Sequence, residues 1–325
     1  MNTIAVLMGG YSSEYLISLK SGNVVYNAIK THCNAYRVHI LKDKWVCVDD
    51  KNIEHPINKG DFSTTIDGSK ITFDCAFNTI HGTPGEDGHI QGYLALLGIP
   101  QTSCDMYQAA LTFNKRDLLS VLRPYGIPMA TSVFYDQGDA IDSNAIAAKV
   151  GLPCFVKANR AGSSFGVSKV YKTEDIPNAI QNALKEDSQV LIESFLDGTE
   201  VSVGVITYKG EVTVLPITEI VSETDFFDYK AKYEGLSQEI TPARITKDQA
   251  DAVSHTAKQI YNTLGMTGFS RADFIFHNNI PHFIEINTTP GLSEESILPQ
   301  QAKQAGISLS ELFMESIKSA LNKKA

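Results

Sequence analysis

The chain has 325 residues, 43% apolar and 20% charged, a length beyond one compact core of usual size, so two or three domains are expected. Its formal charge of −9 argues against nucleic-acid and anionic-membrane partners, which need basic patches. Cysteines 33, 47, 75, 104 and 154 are scattered, odd in number and without Cys-x-x-Cys spacing, which reads as reduced thiols in a cytoplasmic protein and neither zinc ligands nor disulfides.

The N-terminal run lacks a basic leader, and no run approaches the length of a membrane span. Residues 3–10, TIAVLMGG, read as a buried strand ending in glycines, followed by an amphipathic helix over 18–32. Glu14, just past Gly9-Gly10, is placed either to hold a substrate ammonium or to cap that helix as an N-terminal acid. A second strand over 71–80 and a short helix over 89–98 continue a βαβ rhythm, which predicts a mostly parallel, doubly wound sheet with helices on its faces. HGTPGEDG, residues 81–88, falls at the C-terminal end of that strand, where such sheets bind ligands. A boundary is expected near 101–105, after Gly-Ile-Pro.

The next segment starts helically around Asp117, then turns strand-like over 153–159 and 166–172, with a helix over 175–185 and a strand over 189–196. Between the first two strands lies NRAGSSFGVS, residues 159–168. No helix follows it, so it is neither a Walker loop nor a Rossmann fingerprint. It is either a plain flexible hairpin or a loop that folds over a triphosphate. Lys157 sits in the apolar strand CFVKA, where an unpaired ammonium would be costly, so a buried anion is expected beside it. Glu193 follows Val-Leu-Ile, next to Phe195 and Leu196, and could take a donor from a ribose or base. Glu200 is a second candidate for the ribose, and both read equally as strand-edge acids.

Long antiparallel-looking strands run over 200–210 and 211–221. Residues 223–242 lack periodicity and carry Phe226, Phe227, Tyr229 and Tyr233, which suits a lid better than a solvated loop. A helix over 247–264 precedes SRADFIFHNNIPHFIEINTTPGL, residues 270–292. Two apolar or alternating runs around His-Asn-Asn read as a β-hairpin. Arg271 and Asp273 share one strand face, Glu285 and Asn287 share one on the partner, and Asp273 comes within about one residue of lying opposite Glu285. Such oxygen ligands suit a hard cation, Mg²⁺ or Mn²⁺; an ordinary ion-paired sheet face is the rival. Pro290-Gly291 follows, where a glycine lets backbone N–H groups approach a ligand. A helix over 309–324 closes the chain.

In this order, GG-x-S-x-E at 9–14, HG-x-x-GEDG at 81–88, the loop from Lys157 to Gly166, the aromatic segment ending in Lys232-Tyr233, R-x-D at 271–273 and E-x-N-x-x-PG at 285–291 resemble the D-alanine–D-alanine ligases of the ATP-grasp superfamily. The resemblance covers essentially the whole chain. It implies a mixed α/β and α+β, three-lobed architecture: an N-terminal lobe (1–103), a central lobe with the Gly/Ser loop (104–192), and a C-terminal lobe with the metal site and lid (193–325). It implies ATP between the last two lobes, contacted by Lys115, Lys157 and Ser164, with Glu193, Phe195 and Leu196 at the adenine, Glu200 at the ribose and Lys232 at the γ-phosphate. Asp273, Glu285 and Asn287 would hold two Mg²⁺ or Mn²⁺ ions. Glu14 would hold the first D-alanine's ammonium, Arg271 and the Gly291 N–H would stabilise the oxyanion, and Ser296 would anchor the second carboxylate. Ser163 and Tyr233 would close the loop against the lid, and a homodimer is implied. Two departures stand out: Ala161 replaces the usual glutamate before Gly-Ser-Ser, and Tyr-Leu-Ile follows Glu14 where Arg-Glu-Val is usual. Tyr233, where depsipeptide-forming relatives have histidine, favours an amine acceptor over D-lactate. The alternatives are a related ligase with D-lactate or D-serine as acceptor, and a nucleotide-binding scaffold without turnover.

Overall fold

The computed structural model describes residues 1–162, 165–222 and 237–322. Its first strand, Thr3–Gly9, is apolar on both faces because it is central: Asn34–Ile40 and Cys75–Asn78 flank it in parallel. Only these three strands are parallel. Trp45–Val48 and Glu54–Pro56 extend the sheet antiparallel, so the doubly wound parallel expectation holds for its centre alone. The predicted strand over 71–80 is correspondingly shorter, since Ser69–Ile71 turns away to pair with Thr64–Ile66. Gly9 and Gly10 end the first strand with φ of +103° and +97°, a left-handed bend that turns the chain into the helix Tyr15–Ile29.

A second, four-stranded antiparallel sheet runs in the order Ser168–Val170, Cys154–Ala158, Gln189–Ser194, Ser132–Asp136. The third, also antiparallel, runs Ser237–Ile240, Thr218–Ser222, Gly198–Tyr208, Phe269–His277, Ile280–Asn287, with Glu211–Val214 pairing Gly198–Tyr208. Behind it lie the helices Met106–Phe113, Lys115–Leu122 and Lys247–Thr263, whose Leu118, Leu122, Val253 and Ile260 form one core with Phe274 and Phe283. Asp105, Asn114 and Thr246 cap these three helices through their side chains, Thr246 in a full capping box with Gln249. The last helix, Leu309–Asn322, packs on Tyr15–Ile29, joining Val25 and Ile29 to Phe77 and Phe313. That shared core brings the end of the first strand to the end of the hairpin.

Candidate active site

Asn278 and Asn279 both have left-handed φ, 52° and 63°, which gives a tight turn matched to strand twist. Counting back, Phe274 pairs with Phe283, and a bulge at Ile284 then sets Asp273 opposite Glu285 and Arg271 opposite Asn287. The bulge supplies the one-residue offset that simple counting leaves. Four polar side chains thus share one face. Asp273 accepts from Arg271 (Nε 3.2 Å, a terminal nitrogen 3.0 Å), from Ser202 Oγ at 2.6 Å and from the Asn287 amide at 3.4 Å. Burial works against the Arg271 charge, but Asp273, Glu285 and Glu239 together hold its pKa above that of an ordinary arginine. The donor set, two facing carboxylates and one amide group, is all-oxygen on rigid strands and fits a hard divalent cation. Among the described residues no group of three or more Asp, Glu, His or Cys side chains is placed to hold a metal ion; on this face the third oxygen-bearing side chain beside the two carboxylates is the Asn287 amide.

An open cleft of ≈ 990 Å³ lies between this hairpin and the central sheet. Lys115, Lys157, Glu193, Leu196, Glu200, Asp273 and Glu285 all reach it, between apolar walls of Ala130, Phe155, Val167, Ile275 and Ile284. The buried anion beside Lys157 is the chain's own Glu193, at 2.5 Å, so these two predicted ligands form one pair. Lys115 donates to the carbonyl of Ala161 at 2.8 Å and lies 3.3 Å from Glu285, tying the Gly/Ser loop to the hairpin. Arg160 and the buried Asp187 fix the base of that loop with two hydrogen bonds of 2.8–2.9 Å. Phe195 departs from expectation. Its ring is not on the cleft wall; it packs on Phe155 (centroids 6.2 Å apart) beneath Lys169, and Phe155 takes the wall.

A second cleft, ≈ 1460 Å³, opens on the other side of Glu285. Glu14, Arg271, Asn287, Gly291 and Ser296 all line it. Glu14 stands at the N-terminus of its helix without a side-chain capping bond, and its carboxylate lies against Gly162, where a Cβ would come within 2.9 Å of Oε2. At Gly291 a Cβ would sit 2.8 Å from Ser296 Oγ, which shares a hydrogen bond with Ser293, so any larger residue would displace that hydroxyl. Ser163, Ser164, Lys232, Tyr233 and most of the expected lid lie outside the described residues.

Four charged lining residues had no assigned role in the sequence: Lys20, Glu86, Glu239 and Glu295. Glu86 was visible only as an acid between glycines in HGTPGEDG. It accepts from the Gly82 N–H at 2.7 Å, and burial, with Glu14 and Glu285 nearby, pushes its pKa up to about 8. His81, buried beside it, is pushed below the usual histidine value by burial, with Arg271 adding and Glu14 opposing. It meets Ser21 Oγ at 3.4 Å through Nε2, so that ring nitrogen has a partner within the fold.

Family models described as D-ala D-ala ligase N-terminus and C-terminus match residues 3–104 and 121–318. The chain is 62% identical to a D-alanine–D-alanine ligase of Flavobacterium johnsoniae, over 99% of this chain and 100% of that one. A ligase of the same name from Christiangramia forsetii is 60% identical, over 99% of both. Among solved structures, the VanG D-Ala:D-Ser ligase of Enterococcus faecalis superposes with a TM-score of 0.85 at 31% identity, covering 98% of both chains. D-alanyl-alanine synthetase A of Vibrio cholerae superposes with 0.88 at 27%, with the same coverage. With its hairpin, two clefts and full-length matches, the chain belongs to the D-alanine–D-alanine ligase family.

Proposed function

We propose that the protein joins two D-alanines into D-alanyl-D-alanine at the expense of ATP, through a D-alanyl phosphate, as a step in peptidoglycan precursor synthesis. The observation that carries this reading is the Asp273–Glu285–Asn287 face standing between an apolar-walled cleft and an acid-lined one. The first suits a nucleotide, the second an amino acid, and phosphoryl transfer takes place where they meet. Relatives 55–62% identical and named D-alanine–D-alanine ligase support it.

A carboxylate resists attack by an amine because its departing oxide is a poor leaving group. Transfer of the γ-phosphoryl group to the first D-alanine replaces that oxide with phosphate. Asp273, Glu285 and Asn287 would hold Mg²⁺ or Mn²⁺, which supplies positive charge against the triphosphate. Lys115 and Lys157 lie along the same wall and add to it, with the base between Phe155, Leu196 and Ile275 and the ribose at Glu200. Glu14 holds the ammonium of the first D-alanine. Ser296 anchors the carboxylate of the second, whose amine attacks the acyl phosphate. Arg271 and the Gly291 N–H then stabilise the tetrahedral oxyanion.

The three larger sheets correspond in this reading to three lobes, 1–103, 104–192 and 193–325, with the strand Gln189–Ser194 running across the second boundary, working in the cytoplasm as a homodimer. Phosphate release that requires ATP, Mg²⁺ and D-alanine together, with D-alanyl-D-alanine as product, is the expected result. Equal release with L-alanine, or none with any amino acid, contradicts it. The likeness to a D-Ala:D-Ser ligase makes D-serine the acceptor to screen next.

A further inference from the structure

The Ser296 helix and the strands carrying Ser202 and Thr218 converge on one side chain outside the amino-acid cleft. Gln301 lies in the helix Ile297–Gln304, which begins one residue after Ser296, and it is fully buried. Its amide nitrogen donates to the carbonyl of Ser202 at 2.8 Å and to Thr218 Oγ1 at 3.1 Å. Ser202 in turn donates through its hydroxyl to Asp273 Oδ1 at 2.6 Å. Thr218 Oγ1 shares a hydrogen bond of 2.7 Å with Thr241 Oγ1, two residues beyond Glu239, which lines the cleft and helps hold the charge of Arg271. The amide therefore bonds directly to the strands of Ser202 and Thr218 while riding on the helix of Ser296.

The site is built for this side chain. Gln301 Oε1 lies where a Cβ on residue 204 would come within 2.5 Å of it, so Gly204 leaves the room that Gln301 fills. That oxygen is buried without a hydrogen-bond partner. With its oxygen unpartnered, what the amide contributes lies in its two donated hydrogen bonds, both of which run from the Ser296 helix to the sheet. A chain of packed, hydrogen-bonded groups is what holds catalytic side chains to sub-ångström tolerance.

We propose that Gln301 is a positioning residue that locks the Ser296 helix to the strands carrying Ser202 and Thr218, and so sets the distance between the acceptor carboxylate anchor and Asp273. This rests on the reading of Ser296 as that anchor.

The test is Gln301→Leu, assayed well below its melting temperature, alongside Ser296→Ala and the double variant. The KM for the second D-alanine should rise about tenfold in Gln301→Leu, while ATP affinity, measured by direct binding without amino acid, stays within twofold. The double variant should match Ser296→Ala alone, because a helix with no anchor to place gains nothing from being placed. Should leucine not be accommodated, Gln301→Met, unbranched and of equal length, gives the same comparison. A raised acceptor KM in Ser296→Ala with an unchanged one in Gln301→Leu, or additive effects in the double variant, overturns the proposal. An unchanged KM in Ser296→Ala with a raised one in Gln301→Leu contradicts instead the assignment of Ser296, and with it the route through the helix.

Discussion

The two clefts share Glu285 but are put together differently. The apolar-walled one is made mostly by neighbours on strands: Phe155, Lys157 and Glu193 face it from paired strands, as do Glu200, Asp273 and Ile275. Its geometry follows from register, and its Lys157–Glu193 pair is internal to a sheet. The acid-lined cleft is gathered from chain ends and loops, Glu14, His81 and Glu86 from the N-terminal sheet and Gly291 to Ser296 from beyond the hairpin. It is held by backbone N–H groups and close approaches at glycines. A register-built wall should tolerate local change and fail by unfolding, whereas a loop-built one should keep its fold and fail in chemistry.

The sharpest way to break that contrast is Arg271→Ala. Loss of an oxyanion donor costs about 3 kcal/mol or more of barrier, a 10²–10³-fold drop in kcat. An unaltered kcat would remove Arg271 from the chemistry. Next, Lys157→Met leaves Glu193 buried and unpaired, which costs about 3–5 kcal/mol of stability; a thermal or urea melt should register it, and Lys157→Met with Glu193→Leu should regain much of the loss. If the single variant melts like the parent, the pair is not structural.

Glu86→Gln probes the loop-built side through pH. An unfolded glutamate ionises near about 4.3, whereas Glu86 keeps its proton up to about 8. A raised carboxyl pKa means the folded state binds the extra proton between those values, so the parent loses stability as pH rises across that window. The slope from this one group is at most about 1.4 kcal/mol per pH unit. Melts from pH 5 to 8 should therefore fall more steeply for the parent than for Glu86→Gln, and parallel curves would refute the assignment. The smallest effect concerns the two rings. A ring stacked on a base is worth about 1–3 kcal/mol, so Phe155→Leu should raise the ATP KM about tenfold and Phe195→Leu clearly less. The reverse order would put Phe195 back on the wall.

The same contrast explains what the residues alone disclosed, Glu14 as one of two readings and Arg271 by its strand face included. Strand alternation and an Asn-Asn turn suffice to place Asp273 and Glu285 together to within a residue, because period and turn length are local properties. The bulge at Ile284 is not local: it depends on what the strand packs against. Lys157 signalled a buried anion by sitting in an apolar strand, but the partner, 36 positions on, appears only when the strands pair. Two of the three parallel strands, those around 3–10 and 71–80, were legible from their apolar runs; Asn34–Ile40 and the antiparallel pair beyond it were not, since 34–56 carries little alternation. In the acid-lined cleft, spacing says nothing about which loops meet, so Ser296 and the oxyanion role of Arg271 came from the family pattern, Glu14 stood between ammonium holder and helix cap, and Glu86 and Glu239 were not assigned at all.

Divalent-ion binding tests the hairpin face most directly. Mn²⁺ titrated by electron paramagnetic resonance in the presence of a non-hydrolysable ATP analogue should bind the parent protein at least about tenfold more tightly than Asp273→Asn, with both proteins equally folded. Equal Mn²⁺ affinity in the two would contradict a metal site on Asp273, Glu285 and Asn287.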